Sequence, residues 1–166
     1  MKAMRRSEDE KSASSATGRR FAVLATRWYD EVVDGLIAGA LDAFREHGAL
    51  ESDVELFRVP GAFEMPLAAQ KAAETGRFDG VVCLGAVVRG ETPHFDYIAG
   101  EAARGLADVA RKTGIPVGFG ILTCDTLDQA RERSGPGHGN KGAEAARAVV
   151  DMIALIEQLA SPERAS

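Results

Sequence analysis

No apolar run in these 166 residues approaches the ~20 that a membrane-spanning helix needs. The N-terminus carries no apolar signal core, so no secretory leader is expected. There are only two cysteines, Cys83 and Cys124, each inside an apolar, strand-like run. A disulfide framework is therefore excluded, and free thiols in a reducing cytoplasm are expected. Two cysteines and three histidines lie scattered without metal-ligand spacing, so no metal site is expected. GxGxxG does not follow the first strand and GxxxxGK[ST] is missing, which leaves out dinucleotide and P-loop chemistry. No stripe of Lys and Arg marks a nucleic-acid surface, and the net charge of −5 points the same way. What remains is an ordinary globular composition, 45% hydrophobic and 27% charged, long enough for one domain with a sizeable core.

Residues 1–19, MKAMRRSEDEKSASSATGR, are polar and of mixed charge. They bury too little apolar surface to offset the entropy of ordering, which predicts a flexible arm before a domain over 20–160 and a short tail over 161–166. Within the domain, Phe21-Ala22-Val23-Leu24-Ala25 is continuously apolar, the mark of a strand covered on both faces. Helical spacing of Val33, Leu36, Ile37, Ala40, Leu41 and Phe44 predicts a helix over 30–47, stopped by Gly48. Further strands are expected over 54–59, 80–84 and 115–122, and helices over 63–75, 94–113, 126–134 and 141–160. Strands alternating with helices predict right-handed crossovers, a four-stranded parallel sheet and a three-layer αβα sandwich. The last helix is apolar on more than one side, as expected of a subunit contact.

In open parallel sheets, ligands bind at the carboxyl ends of the strands. Four segments gather there: 26–29, 60–64, 85–94 and 122–125. Gly90-Glu91-Thr92 precedes a predicted helix start at Pro93, an arrangement that either cradles an anion on backbone N–H groups or simply caps a turn. His94 falls in the first turn, where the positive end of a helix dipole favours the neutral, proton-accepting form of an imidazole. Arg133 and nearby Lys141 are candidate phosphate cations, or else solvated residues at helix ends. Trp28 and Phe63 follow strands and can stack on a planar heterocycle or pack in the core. Glu64 can accept from hydroxyl or amide donors. Cys124 lacks a basic neighbour in sequence and reads as a buried thiol rather than a nucleophile. His47, at a helix end, and His138, in the loop 135–139, read as structural.

Together, Pro60-Gly61-Ala62-Phe63-Glu64, the stretch 85–97 (GAVVRGETPHFDY), Phe119-Gly120-Ile121-Leu122-Thr123 and Asn140-Lys141-Gly142 resemble the lumazine synthase family over about residues 20–160. The resemblance implies a flavodoxin-like sheet and a cytoplasmic enzyme of riboflavin biosynthesis. Its reaction condenses 5-amino-6-(D-ribitylamino)uracil with 3,4-dihydroxy-2-butanone 4-phosphate to 6,7-dimethyl-8-ribityllumazine. The family's motifs place His94 as proton shuttle and Trp28 against the pyrimidine. They place Ala62, Phe63 and Glu64 around the ring and ribityl chain, and the backbone of Ala86, Val87 and Val88 at the pyrimidine edge. Glu91, Thr92, Arg133 and Lys141 fall at the phosphate, and Phe119 reaches in from the next subunit. Trp28-Tyr29 stands where the family commonly has Phe-Asn. No cofactor is implied. The implied partners are further copies of the chain, as pentamers and, with so compact a turn over 135–139, a shell of sixty subunits; riboflavin synthase is a further candidate. Two other readings remain open: a flavin-binding or shell protein without catalysis, and a flavodoxin-like electron carrier.

Overall fold

A computed structural model describes residues 14–135 and 139–162. Most of the expected arm, His138 with its turn, and the end of the tail lie outside the described residues. The sheet contains β1 (Phe21–Thr26), β2 (Val54–Val59), β3 (Gly80–Val88) and β4 (Val117–Cys124), all parallel, in the order β2-β1-β3-β4. The helices are α1 (Asp30–Glu46), α2 (Met65–Glu74), α3 (His94–Thr113), α4 (Leu127–Glu132) and α5 (Lys141–Ala160). Every position of β1 is buried, because its alternating side chains enter two different cores. Phe21, Val23 and Ala25 join Leu36, Phe44, Val149 and Val150 of α1 and α5 on one side. Ala22 and Leu24 join Met65, Ala69, Ala102 and Leu106 of α2 and α3 on the other. The predicted three-layer sandwich with a parallel sheet is thus the observed fold.

Several boundaries differ from the sequence reading. β3 runs on to Val88 rather than ending at residue 84, because β4 pairs with it as far as Val88↔Cys124. β4 starts at Val117, after Pro116, which has no N–H for the ladder and contributes only a carbonyl, accepting from Val81 N–H (3.0 Å). The helix expected over 63–75 opens as a 3-10 turn, Ala62–Glu64, before α2 proper, and α4 is shorter than expected at both ends. The end of the expected arm belongs to the fold. Ala16 is fully buried in the α1/α5 core, and its N–H donates to the His47 carbonyl (2.8 Å).

α1 and α5 pack closely through glycine: a methyl group on Gly39 or Gly142 would collide with Asn140 or the Leu36 backbone. Asn140 caps α5, its Oδ1 accepting from Ala143 N–H (3.1 Å). Its Nδ2 donates to the carbonyls of Gly35 (2.9 Å) and Ser134 (3.1 Å), which ties α5 to α1 and to the end of α4.

Candidate active site

β1 is followed by β2 on one side, while β3 and β4 lie on the other, so the chain changes winding direction between β1 and β3. That switch point, at the carboxyl ends of the strands, is where an open α/β sheet forms its crevice. The pairing of β1 with β3 ends at Ala25↔Leu84, whereas β3 continues four residues further on β4 alone. Residues 85–88 therefore keep one backbone edge outside any ladder, facing the gap that β1 leaves on turning away. Thr26 sits at the root of that gap. It is buried, its Oγ1 finds no partner among the described residues, and a methyl on Gly85 would come within 2.8 Å of it.

The turn after β1 holds its aromatic out of the core. Tyr29, the N-cap of α1, has φ 60° and ψ 59°, the one left-handed residue other than glycine among the described residues. Such strain clusters at functional sites. Trp28, just before it, is 67% exposed. A methyl group on Gly61 would stand 3.7 Å from Trp28 Nε1 and 3.1 Å from Glu64 Oε2, so the indole edge and this carboxylate flank one glycine. Phe63 on the same turn is 60% exposed, while Ala62 turns its side chain into the α2/α3 core. Ala62 and Ala86 are both buried, so only their backbone is available to a ligand at this edge.

Gly90, Glu91 and Thr92 form the open link from β3 to α3, which begins at His94. Pro93 is the N-cap rather than the expected first-turn residue. A methyl on Gly90 would meet nothing within 4 Å, so the fold itself does not require glycine there. His94, exposed, is the first residue of α3 and lies at the same edge.

Two arginines approach this edge with different charge balance. Arg89 is engaged by two carboxylates, Asp125 (2.8 Å) and Asp96 (3.4 Å). Among the described residues Arg133 has one carboxylate, Glu132, at 4.0 Å, and it donates Nη1 to the Gln129 carbonyl (2.9 Å). Its backbone is fixed by Lys141 N–H, which donates to the Arg133 carbonyl (2.9 Å); the Lys141 ammonium pairs with Glu144 (3.4 Å). Burial raises the Cys124 thiol above its ordinary pKa; the charge of Arg133 opposes this and Asp125 adds to it. Burial alone drives Cys83 far upward, so neither thiol is activated. Among the described residues, no cluster of His, Cys, Asp and Glu could hold a metal.

Trp28 and Glu64 thus flank Gly61, with Phe63 on the same turn, and residues 86–88, Glu91, Thr92 and His94 follow one another where β3 passes into α3. Phe119 stands apart. It is paired with Cys83, five residues before the end of β4, which at ~3.3 Å per residue leaves it roughly 16 Å below the edge, on an open flank and 38% exposed. A shallow depression of about 150 Å³, lined by Asp79, Ile115, Pro116, Ile153 and Ile156, lies at the opposite end of the strands. Thr26, Arg89 and Asn140 fall in segments singled out from sequence but receive no role there. For Arg89 a signal existed, its place between the third strand and the glycine; for Asn140 the cap on Ala143 was readable as an Asn just before a helix, whereas the tie to Gly35, 105 residues away, was not.

Strand order and switch point define a flavodoxin-like α/β domain whose ligand edge carries exposed aromatics, an arginine and a histidine. Residues 18–157 match the family model described as 6,7-dimethyl-8-ribityllumazine synthase, and the chain belongs to that family. A 6,7-dimethyl-8-ribityllumazine synthase from Nitratidesulfovibrio vulgaris (strain Miyazaki F) is 53% identical over 144 residues, 87% of this chain and 92% of the relative. Another, from Desulfovibrio desulfuricans, is 52% identical over the same shares.

Proposed function

We propose that the chain is a transferase of riboflavin biosynthesis that makes 6,7-dimethyl-8-ribityllumazine from 5-amino-6-(D-ribitylamino)uracil and 3,4-dihydroxy-2-butanone 4-phosphate. Phosphate and two waters leave. The observation that carries this reading, beside family membership, is the unpaired β3 edge at residues 85–88, set between the exposed Trp28 and the turn before His94. A flat ring with amide edges hydrogen-bonds to such a strand as a further strand would, and stacks on an indole. Trp28 and Phe63 hold the pyrimidine, whose edge meets the backbone of Ala86, Val87 and Val88, and Glu64 accepts from the ribityl hydroxyls. Backbone and hydroxyl of Glu91 and Thr92 receive the phosphate, with Arg133 and Lys141 as its counter-charges. His94 moves protons between the amine, the departing hydroxyl and the phosphate during imine formation, elimination and ring closure. Phe119 of a neighbouring subunit closes the pyrimidine site, in a cytoplasmic pentamer or a shell of sixty chains.

Mixing both substrates with the protein and following the product's absorbance tests the reading. Product is expected at catalytic rates, and His94→Ala should slow turnover ~100-fold, the usual share of general acid–base catalysis. A protein that binds the product yet forms none would be a carrier rather than a synthase.

A further inference from the structure

The first turn of α3 carries His94 but has no side-chain cap. What fastens it is Arg89, the residue after β3. The Arg89 N–H donates to the Cys124 carbonyl (2.9 Å), extending the ladder past the strand's end. Its Nε donates to Asp125 Oδ1 (2.8 Å), beyond β4, and its Nη2 to Asp96 Oδ1 (3.4 Å), inside the first turn of α3. The guanidinium also lies 4.6 Å from the centroid of the Phe95 ring. One side chain therefore joins the end of β4 to the two residues that follow His94, and it brackets the link 90–93. With both carboxylates against it, Arg89 is a poor counter-charge for phosphate.

We propose that Arg89 is a positioning residue of the synthase: through Asp96, Asp125 and Phe95 it holds the start of α3 so that His94 meets the crevice. This rests on the reading of His94 as the proton shuttle. An isolated exposed ion pair fixes little, but a planar fork shared by two carboxylates and stacked on a ring restrains several groups at once. Displacing a reacting group by about 1 Å can reduce a rate ~100-fold, so even a loose clasp is expressed in turnover.

The test compares kcat and both KM values of the full-length protein with Arg89→Ala, Arg89→Lys, His94→Ala and the Arg89→Ala/His94→Ala pair. Arg104→Ala serves as control, since it removes an exposed ion pair with Glu101 on the same helix. Arg89→Ala should lower kcat ~10-fold or more with little change in the pyrimidine KM. Arg89→Lys should recover little of this, because an ammonium cannot fork between the two carboxylates, and Arg104→Ala should match wild type. The paired variant should be no slower than His94→Ala. A wild-type kcat for Arg89→Ala beside a slow His94→Ala overturns the clasp and leaves the His94 reading intact. Losses that multiply in the paired variant overturn it too, placing Arg89 on the substrate itself. A fully active His94→Ala removes the reading on which the clasp depends.

Discussion

Tyr29 is where a single backbone angle and the chemistry of the site meet. A tyrosine in the left-handed region carries a penalty of roughly 1–2 kcal/mol, and it offers no side-chain acceptor to cap α1. The family's commoner asparagine at this place tolerates that conformation and can cap. Tyr29→Asn should therefore raise the urea midpoint by an amount equivalent to about 1 kcal/mol; a lower midpoint would mean that the ring packs well enough to outweigh the strain. Trp28, turned outward by the same bend, is the only tryptophan, so its emission reports the crevice directly. Saturating 6,7-dimethyl-8-ribityllumazine should quench it in proportion to occupancy. Unchanged emission would move the ring site elsewhere. The places of Trp28 after β1 and of His94 at the start of α3 were legible, but the left-handed turn was not, because nothing in Trp28-Tyr29 announces φ > 0.

The alternation of strands and helices was readable because continuous apolar runs and a 3.6-residue period are local signals. Helices α1, α3 and α5 fall within a residue of their expected bounds. What escaped is non-local. The extension of β3 depends on a partner strand more than thirty residues away, although the apolar Ala86-Val87-Val88 already continued the run. The burial of Ala16 depends on α1 and α5. The junction of α4 and α5 depends on Asn140, whose side chain spans to Gly35 across the fold. Asn140→Ala removes one cap and the donor to the Ser134 carbonyl, while the Gly35 carbonyl keeps its partner within α1, a loss of about 2 kcal/mol in thermal or urea unfolding. Asn140→Asp keeps the cap but sets a carboxylate oxygen against those carbonyls, and should be no more stable. Because Ser134 and Lys141 flank this junction and fix the Arg133 backbone, both variants should raise the KM for the butanone phosphate more than that for the pyrimidine. Equal changes in the two values would separate the junction from the phosphate site.

A single copy of the chain leaves its ligand edge open and a good deal of apolar surface uncovered. α5 buries one face through Ala146, Val149, Val150 and Ile153, but a second face keeps Met152, Leu155, Ile156 and Leu159 exposed, Leu159 to 76%. Leu56 and Phe57 on the edge strand β2 are also exposed, as is Phe119 on the opposite edge strand, β4. Exposed apolar patches of this kind are what a contact between chains would cover. Phe119 lies too far along β4 from the ligand edge to reach its own crevice without breaking the Cys83 pairing, so the part proposed for it in the reaction requires a second chain. Assembly and activity should therefore be inseparable. Mass photometry should find particles of five chains or of sixty, with no active species of one. Phe119→Ala should leave the particle mass unchanged while raising the KM for the pyrimidine, since it removes a wall of the site and little of the contact. A mixing experiment tests the sharing of sites. Pentamers reassembled from equal parts of His94→Ala and Phe119→Ala chains should contain some sites with both residues intact, contributed by different chains. At a pyrimidine concentration well below the KM of the Phe119→Ala chain, turnover above the average of the two parent variants is the expected result; turnover equal to that average would mean that each site is completed within one chain.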